Sequence, residues 1–227
     1  RRQVLPARHL CQCIFEHIYF AHPSSFLFGS DVTVGEVRKE FGRISARNYP
    51  VDADVAVPVP DSGNHGALGY AEESGIPFDF GFDRSHYIGR TFILPNQALR
   101  DAAVDHKFTT NRSVFAGKRV VLVDDSIVRA TTLMKLVARV YEMGAAEVHA
   151  RIPCPPYMHS CYLGIDTAKK KRLIARHNTV QEIADHVGLT SLAYLTVDEM
   201  LSNRHLKGRY CTYCFDGERE IHPRRLF

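Results

Sequence analysis

Residues 119–152 constrain the fold more than any other stretch of the chain. Arg119-Val120-Val121-Leu122-Val123 is an uninterrupted apolar strand, and beyond a short polar loop Leu133, Leu136, Val137, Val140 and Met143 recur on one side of a helix. Gly144 closes that helix, and Glu147-Val148-His149-Ala150-Arg151-Ile152 is the next strand. Strand, crossover helix and strand make a βαβ unit. The sheet is therefore at least partly parallel, and a ligand site is expected at the carboxyl ends of its strands.

The flanking segments fit an α/β chain. In residues 32–47, Val34, Val37, Phe41 and Ile44 fall three or four apart, with Glu36, Arg38, Lys39, Glu40 and Arg43 between them, which predicts an amphipathic helix. Val55-Ala56-Val57-Pro58-Val59 predicts a strand, and Gly66 to Glu73 a helix that stops at Gly75 and Pro77. Residues 13–20, Cys-Ile-Phe-Glu-His-Ile-Tyr-Phe, are aromatic and β-branched and predict a strand. From Phe78 to Phe115 no period survives, and Gly81, Gly89 and Pro95 predict a long irregular excursion, the kind of segment that serves as a functional lid or is disordered. Thr179-Val180-Gln181-Glu182 has capping-box spacing for a short helix ending at Gly188, and Val197 to Asn203 predicts another.

Composition narrows the class. With 227 residues, 45% hydrophobic and 24% charged, the chain has the apolar material for a sizeable core, which excludes disorder, collagen and coiled coil. No apolar run approaches the roughly 18 residues that cross a bilayer, and no signal peptide is visible, so a cytoplasmic protein without membrane contact is expected. The net charge of +4, with twelve His in reserve, suits phosphate-bearing ligands but is spread too evenly for a nucleic-acid face. The longest basic run, Lys169-Lys170-Lys171-Arg172, reads as a solvated helix start. Six Cys in a chain without a secretory signal are no disulfide framework, and Cys211-Thr212-Tyr213-Cys214 points to metal instead. A first residue of Arg1 rather than Met is expected of a trimmed or partial product.

The chemistry concentrates after the strand that ends at Val123. Asp124 and Asp125 stand at its carboxyl end, and Ser126-Ile127-Val128-Arg129-Ala130-Thr131-Thr132 leads into a helix N-terminus, whose free N–H groups and positive dipole end favour a phosphate. The carboxylates would repel that phosphate, but they suit a vicinal diol or a divalent cation that bridges the diol to other anionic oxygens. A 5-phosphorylated ribose carrying a further phosphate group satisfies both halves. The Gly-x-x-x-x-Gly-Lys of a P-loop is absent.

This segment resembles the phosphoribosyl-diphosphate (PRPP) signature of type I phosphoribosyltransferases. Val59-Pro60-Asp61-Ser62-Gly63, Tyr87-Ile88-Gly89-Arg90-Thr91-Phe92-Ile93, Gly117-Lys118-Arg119-Val120, Tyr162-Leu163-Gly164-Ile165-Asp166 and Cys211-Thr212-Tyr213-Cys214-Phe215 resemble, in order, the phosphoribosyltransferase half of the glutamine PRPP amidotransferase family. The resemblance runs from about Cys13 to about Glu218. It implies a type I phosphoribosyltransferase fold: a mostly parallel central sheet flanked by helices, a lid loop, and one domain over residues 1–227 whose Cys-bearing extension, 195–227, folds back on the chain start. It also implies an enzyme of the first step of purine synthesis, in which ammonia displaces pyrophosphate from PRPP to give 5-phosphoribosylamine, and a homo-oligomer.

The resemblance assigns roles to residues. Asp124 and Asp125 would hold the ribose hydroxyls and Mg²⁺, with Ser62 as a further Mg²⁺ ligand, while Ser126, Ile127, Val128, Arg129, Ala130, Thr131 and Thr132 would cradle the 5-phosphate. The Asp61-Ser62-Gly63 turn would meet the pyrophosphate through backbone N–H groups. Tyr87 and Arg90 would belong to the lid that excludes water from the reacting centre. Cys13, Cys161, Cys211 and Cys214 match the ligand positions of a [4Fe–4S] cluster carried by one branch of the family, although four thiolates suit structural zinc equally. Cys11 and Cys154 match no ligand position and read as buried small apolar residues.

Departures concentrate on the acceptor side. The family usually has Arg-Pro-Asp-Ser where this chain has His22-Pro23-Ser24-Ser25, Lys-Asn-Arg where it has Arg84-Ser85-His86, and often Gly where it has Ala130. The family's glutaminase domain, with its N-terminal nucleophilic Cys, is absent from these 227 residues. Two expectations follow. Either an upstream domain or a glutaminase subunit supplies ammonia, or the chain is a lone transferase using free ammonia, another amine or another nucleophile. A PRPP-binding regulator without turnover is the reading from outside enzymology.

Overall fold

A computed structural model of the chain describes residues 11–84, 108–161 and 173–218. Along the chain come β1 (Gln12–Cys13), a π-helical turn (Glu16–Phe20), α1 (Val34–Asn48), β2 (Val55–Pro58), α2 (Asn64–Ser74), β3 (Phe82–Arg84), β4 (Phe108–Thr110), α3 (Arg112–Phe115), β5 (Arg119–Val123), α4 (Thr131–Glu142) and β6 (Glu147–Ile152). A 3₁₀ turn (Ile174–Arg176), α5 (Val180–Val187), β7 (Ser191–Tyr194), α6 (Val197–Leu201), β8 (Tyr210–Cys211) and α7 (Tyr213–Asp216) complete it.

The central sheet has the order β2-β5-β6-β7 and is parallel throughout. Val55 to Val59 and Val120 to Val123 are almost wholly buried, as continuous apolar runs in a sheet covered on both faces must be. On one face Ala56, Val121 and Val123 share a buried cluster with Ala67, Tyr70 and Ala71 of α2. On the other, Val120, Leu122, Ala150 and Ile152 cluster with Leu133, Leu136 and Val137 of α4 and Ile183 of α5. Each such Leu or Ile adds about 1.5–3 kcal/mol on burial, so Leu122 or Leu136 cut to Ala would cost more than any surface change in the chain.

Helices α1 and α2 touch backbone to backbone. A Cβ on Gly42 would collide with the Gly66 carbonyl, and one on Gly69 with the Lys39 carbonyl. Glu40, buried on α1, accepts from Arg43 and Arg47 at 3.2 and 3.0 Å and pairs with Arg204, while Arg43 and Arg47 reach on to Glu72 and Glu73 of α2.

The strand expected over 13–20 is corrected. Only Gln12 and Cys13 are extended, and Glu16–Phe20 winds as a π-helical turn. Ile14, Phe15, His17 and Ile18 are all buried, a spacing of one, three and four residues that a helical turn satisfies and a two-residue alternation does not. Phe15 meets Phe20, Tyr157 and Phe215 at ring distances of 5.6, 5.6 and 6.2 Å, and those contacts set the winding.

The irregular excursion is not irregular at its ends. Phe82 pairs with Thr110 and Arg84 with Phe108 in an antiparallel ladder, and α3 follows, capped by Asn111. The intervening residues 85–107, with Tyr87 and Arg90, lie outside the described residues, as do Tyr162 to Asp166 and the basic run at 169–172. The edge strand β7 carried no clear signal. It has four residues of mixed polarity, Ser191-Leu192-Ala193-Tyr194, of which only Tyr194 is buried. The capping box of Thr179 with Glu182 is present, and a second, Thr196 with Glu199, opens α6. No helix among the described residues is long and apolar enough to cross a membrane.

Candidate active site and cysteine cluster

The carboxyl ends of β2 and β5 lie side by side, with Pro58 opposite Val123, so the turns that leave them share one cleft. That cleft encloses about 250 Å³ open to solvent and is lined by Ser62 and Gly63 after β2, Asp124 and Asp125 after β5, Pro153 after β6, and Ile18, Arg38 and Phe41. Two separated parts of the sequence, Ser62–Gly63 and Asp124–Asp125, thus line one cleft.

The carboxylate pair is held from below. Asp124 Oδ1 accepts the Asp125 N–H at 2.8 Å, and Asp125 Oδ1 accepts the Ser126 hydroxyl at 2.8 Å. Burial and the charge of Asp125 push the Asp124 carboxyl well above the usual range. Burial also raises Asp125, while hydrogen bonds from Ser126 and Ser62 and the charge of Arg38 pull it back. Asp125 Oδ2 is buried with no hydrogen-bond partner. Two carboxylates sharing a low-dielectric cleft, one with an orphaned oxygen, fit a divalent cation, which relieves their repulsion and supplies the missing partner.

Two turns present backbone donors. Gly63 precedes α2 and Ala130 precedes α4, and neither helix has a side-chain cap, whereas α1, α5 and α6 are capped by Thr33, Thr179 and Thr196. The first N–H groups of α2 and α4 are therefore left for a ligand, and the helix dipole favours an anion there. Gly63 is sterically required, because a Cβ would sit 2.7 Å from the Val59 carbonyl and closer still to the Val123 carbonyl. The Pro60–Asp61 peptide in the same turn is cis.

The 126–132 loop is anchored at its middle and open at its end. Ile127 is buried in the core, the Val128 carbonyl accepts the Ile174 N–H at 3.1 Å, and Arg129, Thr131 and Thr132 are exposed. Ala130 has φ +62°, the left-handed conformation that glycine adopts freely. The geometry accounts for the preference for glycine at this position.

The cysteines converge from three segments. Cys13 and Cys211 are register partners in the β1–β8 pair. The Met158 and His159 N–H groups donate to the Cys214 carbonyl at 2.9 and 3.0 Å, which docks the segment that ends at Cys161. The Cys214 thiol is pushed far up by burial and then by Cys13, Cys211 and Cys161, so the other three lie within electrostatic reach of it. Among the described residues the six cysteines form no disulfide. Among the described residues, no three His, Cys, Asp or Glu side chains meet as they would around a single metal ion. Cys154 is fully buried, as expected, while Cys11 is half-exposed rather than buried.

Arg38 was not foreseen as a site residue. The signal was present, because position 38 lies four residues after Val34 and three before Phe41, on the stripe that α1 buries. A cation on that stripe needs a buried acceptor. Tyr194 was also missed; its hydroxyl is buried without a partner and lies near Cys154 and Asp124.

No protein-family model matches the chain. It is 50% identical over 219 residues to the chloroplastic amidophosphoribosyltransferase of Glycine max, a match that takes in 95% of this chain and 38% of that protein. It is 48% identical over 211 residues to the amidophosphoribosyltransferase of Methanocaldococcus jannaschii, with 93% of this chain and 44% of that one aligned. Among solved structures, the glutamine PRPP amidotransferase from B. subtilis complexed with ADP and GMP superimposes with a TM-score of 0.85 at 40% identity, over 96% of this chain and 49% of that one. The chain thus spans less than half the length of these relatives.

Proposed function

Because the chain belongs to the amidophosphoribosyltransferase family by sequence and by fold, we propose that it is a PRPP-dependent phosphoribosyltransferase, in which ammonia displaces pyrophosphate from C1 to give 5-phosphoribosylamine for purine synthesis. The observation that carries this reading is the cleft, where the carboxylates of Asp124 and Asp125 share one lining with the Ser62–Gly63 turn, whose backbone N–H groups open an uncapped helix.

Each part has a task. Asp124 and Asp125 hold the ribose diol and Mg²⁺, with Ser62 as a further ligand; bound Mg²⁺ supplies charge neutralisation to the departing pyrophosphate. The N–H groups from Thr131 onward take the 5-phosphate, and those after Gly63 take the pyrophosphate. The bond from C1 to the pyrophosphate oxygen breaks with its electron pair on oxygen, the C1–N bond forms, and the ammonium-like nitrogen gives a proton to solvent. Rate comes from positioning and charge stabilisation. Tyr87 and Arg90 are assigned to the lid that excludes water. Ammonia would reach the site from a glutaminase domain or subunit.

We assign the four cysteines to a [4Fe–4S] cluster, as the resemblance implies, with structural zinc as the alternative. A single zinc needs sulfur atoms within about 2.3 Å of one point, whereas the thiols of a cluster stand at the corners of a larger body. Bound there, the cluster would staple three chain segments, and Cys13, Cys161, Cys211 and Cys214 would be its ligands.

Incubation with PRPP, Mg²⁺ and ammonium tests the activity. Pyrophosphate release that falls by two to three orders of magnitude in Asp124→Asn and Asp125→Asn supports it. PRPP binding without pyrophosphate formation across a panel of amines would make the protein a regulator instead.

A further inference from the structure

Arg38 is a buried cation whose partners are all unusual. It is 6% exposed and lies on α1 facing the cleft. Its Nε donates to the His17 carbonyl at 2.8 Å and its Nη2 to the Ala21 carbonyl at 2.9 Å. Both acceptors are neutral, and among the described residues Nη1 donates to none. An arginine sealed from water normally contacts a carboxylate, since leaving its charge uncompensated is expensive. Here the carboxylate that feels it is Asp125, across the same cleft.

The two carbonyls fix where the guanidinium can point. His17 lies within the π-helical turn and Ala21 caps its end, so the planar fork is clamped on one edge. Its other edge is left toward the cleft. Asp125 meanwhile is held at Oδ1 by Ser126 and receives a further hydrogen bond from Ser62, while among the described residues Oδ2 has no partner, so one oxygen of the carboxylate is left without a hydrogen bond to hold it. The field of a clamped cation supplies the missing restraint.

We propose that Arg38 is a positioning residue of the donor site: clamped by the carbonyls of His17 and Ala21, it orients the Asp125 carboxylate toward the cation and diol bound in the cleft. This rests on the reading of the cleft as a PRPP site. It also gives the turn at 16–20 a function, because that turn sets the angle of the guanidinium.

Arg38→Gln keeps a donor of similar reach without charge, and Arg38→Lys keeps the charge without the fork. Glu40→Gln, which loosens a buried ion-pair cluster on the same helix away from the cleft, is the control for a merely structural effect. Thermal melting is recorded for all three, together with pyrophosphate release over a matrix of PRPP and Mg²⁺ concentrations. Both Arg38 variants are expected to need 10- to 100-fold more Mg²⁺ for half-maximal rate, the usual effect of losing a partner behind a metal ligand, with the KM for PRPP raised at limiting Mg²⁺ and kcat at saturation largely kept. Glu40→Gln is expected to melt earlier with an unchanged Mg²⁺ requirement. Arg38 variants that melt early but retain the parental Mg²⁺ and PRPP dependence would overturn the proposal, and so would collapse of both. An unsubstituted protein that neither binds nor turns over PRPP defeats the functional reading itself, whereas an active parent with indifferent Arg38 variants defeats this inference alone.

Discussion

Cys13 and Cys211 stand directly opposite each other in the two-residue ladder that joins β1 to β8, although they come from opposite ends of the chain. A ladder so short carries little stability of its own, and two residues per strand is well below the usual minimum for a sheet. Under the proposed function, a cluster held by Cys13, Cys161, Cys211 and Cys214 would supply a stronger link beside it.

Protein purified without oxygen should accordingly be brown and contain iron and acid-labile sulfide in equal amounts. Cys214→Ser should lose most of both, with a lowered melting temperature, while Cys11→Ser should lose neither. Stoichiometric zinc in a colourless anaerobic preparation would refute the cluster.

Replacing Ala130 by Gly should leave stability unchanged or raise it by up to about 1.6 kcal/mol. The left-handed conformation costs an L-residue about 1–2 kcal/mol, and added freedom in the unfolded chain returns about 0.4–1 of that. Ala130→Val, β-branched and poorly tolerated at φ +62°, should be destabilised and weakened in PRPP affinity. Urea unfolding of the three proteins decides it, and a Gly variant markedly less stable than the parent would contradict the backbone argument.

Gly63→Ala should be damaging despite the small change. The added methyl group would press on the carbonyls of Val59 and Val123, which are backbone atoms of two core strands and cannot yield as a side chain does. A loss of about 1–3 kcal/mol is expected, as for other overpacked sites, together with a raised KM for PRPP. Chemical denaturation and steady-state kinetics read the two effects separately.

His17 should shape the acid limb of stability. Burial, aided by the charge of Arg38, lowers its pKa from 6.5 to about 4. Its neighbours are Arg38, the Tyr210 hydroxyl at 3.3 Å from Nε2, and the Phe28 ring. Above pH 6.5 the ring is neutral in both folded and unfolded chains and contributes no pH dependence. As pH falls from 6.5 to 4 the unfolded chain takes up a proton that the folded one refuses, so stability declines across that window and levels off below it. His17→Gln should flatten the decline when unfolding free energy is measured from pH 7 to pH 4; an unchanged slope would assign the acid sensitivity elsewhere.

The parallel sheet, its crossover and the carboxylate turn were legible because each is written in consecutive residues: an apolar run, two Asp, a polar loop and a helical stripe. The segment at 13–20 was misread because its aromatic, β-branched composition favours a strand locally. Burial of Ile14, Phe15, His17 and Ile18 against Tyr157 and Phe215 from distant parts of the chain decides otherwise. Strand β7 escaped notice because an edge strand of four residues needs no apolar alternation. Arg38 was visible as a charge on a buried stripe but had no meaning until the fold placed His17, Ala21 and Asp125 around it. That Cys13 and Cys211 match ligand positions was known from the resemblance; that they are ladder partners is a matter of topology.

The absence of caps on α2 and α4 has a thermodynamic consequence for the free protein. Helices α1, α5 and α6 close their own first turns with threonine side chains, but α2 and α4 do not, and under the proposed function the phosphates of PRPP would be the groups that complete them. On that reading PRPP would be the last piece of secondary structure. Without it, the first turns of α2 and α4 should be the most readily frayed parts of two otherwise well-packed helices, and amide exchange there should slow on binding more than anywhere in the central sheet.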